Sequence, residues 1–365
     1  MPQFPPTVVL GNEACDLDSV ACTYAFSEYL VLDAKDKNIR NAAIYPVLNI
    51  LENELRLRND VLFALKEAEI DTERSFCFRD VFENTISKMN NGEMRLFLVD
   101  HNKLAPSQEK YKYNIVGVID HHTDTVPDVI KERAHIFRSG SCASLLVLFI
   151  FDHVDWNTFD ISVPKMLYMA IMLDTSNMTR KMTSYDKDAA TVLESHLVKR
   201  IQTFDEWREK TYKELRAKRH DVSNFDVEEL LASDFKLFKA AGSGFRYGIS
   251  VVRCSWTGLW ERFVMRKIKR FMDEKGIEGL VISFSFVDKN DETMMQLGYI
   301  GPTYPLNELR NTANVLDLKF LLSYMNPDHT AHPFYVFKQL NVECSRKQIK
   351  PVMDELFAKC EMVVK

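Results

Sequence analysis

Apolar positions along the first 140 residues follow two alternating spacings. Short runs rich in β-branched residues, TVVLG at 7–11, AAIYPVLN at 42–49, RLFLVD at 95–100, NIVGVID at 114–120 and AHIF at 134–137, read as buried strands. Between them, 18–36 and 52–70 carry apolar residues at helical intervals with charges on the opposite face. Strand alternating with helix predicts a parallel sheet covered by helices on both faces. Over 185–225 the chain becomes strongly charged and rich in helix formers, which suits a connecting element. Beyond it, strands are expected at 235–239, 245–253, 280–288 and 293–300, with a helix over 259–275 and a terminal helix capped by Ser345. The fold class is therefore α/β. An N-terminal parallel-sheet domain with flanking helices is expected over 1–205, and a smaller α+β C-terminal domain with a mixed sheet over 206–365.

Composition narrows the picture. At 365 residues the chain exceeds the size at which one core stops growing, and 46% hydrophobic with 27% charged residues is ordinary for a globular protein. Seven cysteines without a CxxC pair argue against both a disulfide framework and a structural zinc site. A formal charge of -5 disfavours nucleic acid as a partner, so a polyanionic ligand has to be held locally. No apolar run approaches the roughly 18 residues of a membrane span, and the first ten residues lack a basic-then-apolar leader. A soluble, cytoplasmic monomer without a membrane partner is expected.

In open parallel sheets, ligands bind at the carboxyl ends of the strands. Asp16 and Asp18 follow one expected strand, Asp100 ends another, Asp120 with His121 and His122 ends a third, and Asp174 follows an apolar helical segment. Each has an ordinary structural explanation: Asp18 is a good N-cap, Asp100 can open a turn, and Asp174 can cap the next element. Gathered in one crevice, however, four or five carboxylates repel one another unless cations neutralise them. Divalent metal is the economical answer, and shared carboxylates are what a two-metal hydrolytic site requires.

GNEACDLDS (11–19), VDHNK (99–103), IDHH (119–122) and LDTSNM (173–178) resemble, in order, the four motifs of the DHH phosphoesterase superfamily. SRKQIKP (345–351) is similar to the phosphate-binding signature of its second domain. Five short motifs in order are specific where any one alone would be weak. The branches with this second domain are family II inorganic pyrophosphatases, yeast-type cytosolic exopolyphosphatases and prune proteins. Family II pyrophosphatases carry His where this chain has Asn12, and prune proteins lose the second His of the triplet, which is present here as His122. The combination resembles an active exopolyphosphatase.

The resemblance implies that Asp16, Asp18, Asp100, His121 and Asp174 are metal ligands, with Asp100 bridging two ions. It places Asn12 in the remaining position as a neutral oxygen ligand or behind a water. An oxygen-rich site without that imidazole shifts the expected ion towards Mg2+, ahead of Mn2+ or Co2+. His122 is implied to donate to a phosphoryl oxygen. His101 either does the same or orients a carboxylate, with Asn102 supporting it. Arg346, Lys347 and Lys236 are implied phosphate contacts, with Lys239 an alternative to Lys236 and Lys181 a weaker candidate. Ser141, ahead of an apolar helix, is an N-cap whose neighbouring amides can also approach a distal phosphate. His329 and His332 lie in a Pro-flanked loop that suits a surface or lid role.

The expected function is metal-dependent exopolyphosphatase: in-line attack of water on the terminal phosphorus of inorganic polyphosphate, releasing orthophosphate, in a cleft between the domains. Inorganic pyrophosphatase, nucleotide phosphodiesterase and a prune-like interaction protein are the alternatives.

Overall fold

A computed structural model describes the chain apart from residues 1–4, 40–41, 124–125, 127, 261–263, 289–291, 303–308, 310–314, 325–333 and 359–365. His329 and His332 therefore lie outside the described residues. The chain divides into two compact units, Met1–His220 and Asp221–Lys365.

The first unit contains β1 (Thr7–Leu10), α1 (Leu17–Asp36), β2 (Ile44–Leu48), α2 (Asn59–Glu67), α3 (Thr72–Ser75), β3 (Cys77–Phe78), α4 (Arg79–Asn84), β4 (Arg95–Val99) and β5 (Ile115–Asp120). It continues through β6 (Ala134–Ile136), α5 (Cys142–Phe151), α6 (Ser162–Asp174), α7 (Ser184–Leu197) and α8 (Phe204–His220). The strands form one sheet in the order β3-β2-β1-β4-β5-β6, and every pairing is parallel. All five expected strands are present, while the two-residue β3 is too short to leave an apolar pattern.

Alternation along the strands feeds a core on each face. Val9, Val99 and Ile119 pack with α1, α5, α6 and α7, whereas Val8, Leu10, Leu96, Leu98 and Val118 pack with Phe82, Ile86 and Tyr111. Each such side chain, fully buried, contributes roughly 1.5–3 kcal/mol. Helix α6 is buried along almost its whole length, which explains its continuous apolar sequence. Helix α8 places Phe204 and Leu215 in the first unit's core, so the charged segment ends as part of that unit and the division falls after His220 rather than after residue 205.

The second unit contains β7 (Phe235–Lys239), β8 (Arg246–Val252), β9 (Gly279–Val287), β10 (Thr293–Ile300), β11 (Leu318–Tyr324) and β12 (Phe334–Gln339). Its helices are α9 (Val227–Ala232), α10 (Trp256–Trp260), α11 (Val264–Lys275) and α12 (Arg346–Ala358). The sheet order is β11-β12-β10-β9-β8-β7, mixed because β8 and β9 run parallel while the other pairs are antiparallel. Ile349, Met353, Leu356 and Phe357 recur at helical spacing on α12 and pack in one core with Phe245, Tyr247 and Tyr299. Ser345 opens α12 as expected: its Oγ accepts from Lys347 N at 3.4 Å, and its own N–H donates to Gln348 Oε1 at 3.0 Å. No helix among the described residues is long and apolar enough to cross a membrane.

Candidate metal centre

In the order β3-β2-β1-β4-β5-β6, the sequence direction reverses between β1 and β4, which leaves a crevice at their carboxyl ends. The segments after β1, β4 and β5 carry Asn12 to Asp16 with Asp18 in the first turn of α1, Asp100 to Asn102, and His121 with His122. Gly11 permits the turn from β1 towards α1, because a Cβ there would lie 2.5 Å from Ser19 Oγ and 2.9 Å from Thr23 Oγ1.

Asp100 is the centre of the arrangement. It is 1% exposed, and its backbone is left-handed at φ 60°, a conformation that costs on the order of 1–3 kcal/mol in a residue with a side chain. Its Oδ2 accepts from Asn12 Nδ2 at 2.7 Å, whereas its buried Oδ1 has no hydrogen-bond partner. His121 Nε2 lies 3.3 Å from that oxygen and 3.9 Å from Asp18 Oδ2. The other ring nitrogen, Nδ1, is 3.2 Å from Ser139 O, and because a carbonyl only accepts, Nδ1 carries the proton there. In neutral imidazole, Nε2 then offers a lone pair to the same point that the two carboxylates face, and a cation at that point satisfies all three. An orphaned buried oxygen, a second carboxylate and an imidazole with its tautomer set are a donor set that fits a divalent metal.

Asp18, 5% exposed, is gripped by the start of α5. Its Oδ1 accepts from Ser141 Oγ and Ala143 N, both at 2.8 Å, and its Oδ2 from Cys142 N at 2.6 Å. The N-cap of α1 is Asp16, which accepts from Ser19 N at 3.2 Å, and not Asp18, which sits in the first turn. Asp174 ends α6 beside three consecutive left-handed residues, Ser176, Asn177 and Met178, with Arg219 Nη1 at 3.9 Å. Burial, followed by repulsion from Asp18 and Asp16, pushes the carboxyls of Asp100 and Asp174 well above the usual range. Burial also raises Asp18, partly offset by His121. Asp18 and Asp16 thus stand close enough to Asp100 and Asp174 to oppose their ionisation.

Asp120 plays a different part. Ligand atoms of Asp100, Asp120, His121 and His122 all lie within 4.8 Å of one another. Yet Asp120 Oδ1 already accepts from the His121 and His122 amides at 2.7 and 3.2 Å and faces His122 Nδ1 at 2.8 Å, while Oδ2 accepts from Asn102 Nδ2 at 2.6 Å. It is a bracket for His122. Hydrogen bonding to Asp120 raises the His122 pKa against the opposing effect of burial, and the His122 side chain, 59% exposed, keeps Nε2 available. His101 holds Val99 O through Nδ1 at 3.0 Å, its Nε2 is buried without a hydrogen-bond partner, and burial lowers its pKa.

Ser141 is the N-cap of α5 as expected, and both it and Asn12 have their polar atoms engaged within the protein. Asn12 does not present an oxygen, because Oδ1 accepts from Cys15 N at 2.9 Å and the amide's NH2 faces Asp100. Reversing the amide would set donor against donor and oxygen against oxygen, so the two neighbours fix its orientation. Ser141 is fully buried, its hydroxyl is spent on Asp18 and its N–H on Asp186 Oδ1 at 3.2 Å, which leaves nothing to offer a phosphate. In the second unit, Lys236 and Lys347 are exposed on β7 and at the start of α12, as are Lys239 and, in the first unit, Lys181. Arg346 bonds Asp234 through both its carboxylate at 2.7 Å and its carbonyl at 2.9 Å. Asp234 and Asp186 were not anticipated from the sequence, although Thr183-x-x-Asp186 carries the capping-box spacing.

Comparison with known proteins agrees with the motif order. The family model described as "DHH family, N-terminal domain" matches residues 6–193, and "DHHA2 domain" matches 213–356. Exopolyphosphatase PRUNE1 of Rattus norvegicus is 29% identical over 364 residues, covering 96% of this chain and 75% of the relative. A Schizosaccharomyces pombe protein assigned as an exopolyphosphatase is 25% identical over 368 residues, with 94% and 89% covered. Among solved structures, one from Methanococcus jannaschii assigned to the family II inorganic pyrophosphatases superposes with a TM-score of 0.55 at 17% identity, covering 96% of this chain and 98% of that one.

Proposed function

The chain belongs to the DHH family and is a hydrolase of phosphoanhydride bonds, and from that premise we propose that its substrate is inorganic polyphosphate, cleaved from the chain end to release orthophosphate. The observation that carries the site assignment is the unpartnered Asp100 Oδ1 facing His121 Nε2. On this reading Asp18, Asp100, His121 and Asp174 would hold one ion, and Asp16 with Asp100 a second. When bound, such ions supply a nucleophilic water and neutralise charge developing on the phosphoryl oxygens. Asn12 acts by donating to Asp100 Oδ2, which fixes the carboxylate plane and leaves Oδ1 for metal. A donor set with a single imidazole favours Mg2+ over Mn2+ and Co2+. Lys236, Lys347 and Arg346, the last steadied by Asp234, are the cations of the second unit proposed to contact phosphate.

His122 supplies a proton-bearing donor to the phosphoryl oxygen from Nε2 while Asp120 holds Nδ1. Because the pKa of His122 is raised, that proton is retained above the usual histidine range and is lost as pH rises through the raised value. His122→Gln is expected to lower kcat by about 10²–10³ and to remove the alkaline fall in the kcat profile. Asp120→Asn is expected to move that fall to lower pH. An unchanged alkaline limb in both variants would rule out His122 as the donor.

Phosphate release from pyrophosphate, tripolyphosphate and long-chain polyphosphate, each with Mg2+, Mn2+ and Co2+, tests the substrate. Activity on the two longer substrates with Mg2+ supports the proposal. Dominant pyrophosphate hydrolysis makes the protein a pyrophosphatase, and inactivity on all three removes the polyphosphate reading.

A further inference from the structure

Asp186 is fully buried near the start of α7, 12 residues after Asp174, and takes five donors from two separate segments. From its own helix start it accepts Thr183 N at 2.7 Å and Thr183 Oγ1 at 2.8 Å, both on Oδ2. From the segment leading into α5 it accepts Gly140 N at 2.9 Å on Oδ2, Ser141 N at 3.2 Å on Oδ1 and Ser144 Oγ at 2.7 Å on Oδ1. Capping α7 needs only the Thr183 pair; the remaining three bonds serve the other segment.

That segment is the support of the metal centre. Ser139 O receives the His121 Nδ1 proton, and Ser141 Oγ, Cys142 N and Ala143 N hold Asp18. Gly140 lies between these two sets of contacts with no room to spare, since a Cβ there would fall 2.6 Å from Lys181 O and 3.0 Å from Asp186 Oδ2. Residues 139–144 are thus clamped by Asp186 and in turn hold both Asp18 and His121. We propose that Asp186 is a positioning residue of the hydrolytic centre, setting the separation and aim of Asp18 and His121 through this segment without touching metal or substrate. The inference rests on the assignment of Asp18 and His121 as metal ligands.

The two sets of bonds allow a test that separates positioning from simple helix capping. Ser144→Ala removes a contact on the α5 side, Thr183→Val one on the α7 side, and Asp186→Asn turns an acceptor into a donor against N–H groups. Mn2+ alone serves as the probe, titrated against each protein and followed by electron paramagnetic resonance, with thermal unfolding of the same samples. Asp186→Asn should weaken Mn2+ binding by about tenfold or more, in the range of residues that orient ligands from behind. Ser144→Ala should weaken it by about threefold, as one lost hydrogen bond would. Thr183→Val should lower the unfolding temperature while Mn2+ affinity stays within about twofold of the parent. Should Asp186→Asn fail to fold, the Ser144 and Thr183 variants decide the matter. Equal Mn2+ affinity in Ser144→Ala and the parent, or equal losses in the Ser144 and Thr183 variants, overturns the proposal. Absence of Mn2+ binding by the parent overturns the ligand assignment itself, and that result is visible before any substitution is made.

Discussion

Asp100→Asn should abolish phosphate release, by about a thousandfold or more, while leaving the metal-free protein at least as stable as the parent. The two effects have one cause. Asp100 is buried, its carboxyl is pushed upward by burial and by Asp18 and Asp16, and its Oδ1 has no hydrogen-bond partner. An amide at this position keeps an oxygen for the Asn12 NH2 and turns its own NH2 towards the His121 Nε2 lone pair, 3.3 Å away. It therefore fills the orphan position and removes a repelled charge, a change that is neutral or stabilising by about 1–4 kcal/mol when buried ionic groups are replaced. The same amide loses the charge and the lone pair that a shared metal ligand needs, and a thousandfold corresponds to about 4 kcal/mol of transition-state stabilisation. Retention of a tenth of the activity, or a fall of several degrees in the metal-free unfolding temperature, would refute the assignment of Asp100 as the shared ligand.

The second large effect concerns pH. Asp18, Asp100 and Asp174 all have raised pKa values in the fold, so between the ordinary carboxylate range and those raised values the folded chain binds more protons than the unfolded one. Stability then falls as pH rises through this window and grows as pH is lowered through it. His122, also raised, acts in the same direction nearer neutrality, while His101 and His196, lowered by burial, oppose it there, and the three buried acids outweigh them. Asp120 and Asp186 are lowered, and the stability they contribute is lost only as pH falls through the ordinary carboxylate range and below. Chelated protein should therefore become more stable on moving from neutral pH towards pH 5, the reverse of common acid denaturation. At neutral pH, Mg2+ at a hundred times its dissociation constant should add about 2.7 kcal/mol, raising the unfolding temperature by roughly 5–10 °C. Calorimetry across pH with and without Mg2+ checks both halves. A chelated protein that loses stability steadily from pH 8 to 5, or that ignores Mg2+, would show that these acids do not form a cation site.

Much of the site was legible in the chain, because both signals are local. The strands of the first sheet appear as apolar runs, and the acids stand directly after them, where a parallel sheet exposes ligands. The details that the sequence left open share a physical origin. Asp16 and Asp18 both have the chemistry and spacing of an N-cap, and the choice between them was made by the α5 amides, more than 120 residues away. The orientation of Asn12 depends on Asp100, 88 residues distant, and the burial of Ser141 depends on Asp18 and Asp186. The Thr183–Asp186 spacing reads as a helix start, and nothing in that spacing reveals the three additional donors. In the second unit, β11 and β12 were missed because LKFLLSY is as apolar as a helix and FYVFKQ follows a Pro-flanked loop.

The grip of the α5 amides on Asp18 also constrains the order of events during synthesis. The hydrogen-bond partners of Asp18 follow it by more than 120 residues, and the carboxylate that clamps those partners comes later still, at position 186. Contacts of such long range form late, after loop closure has been offset by other burial. A nascent chain therefore carries the acidic loop after β1 for most of the first unit's translation without the amides that aim it.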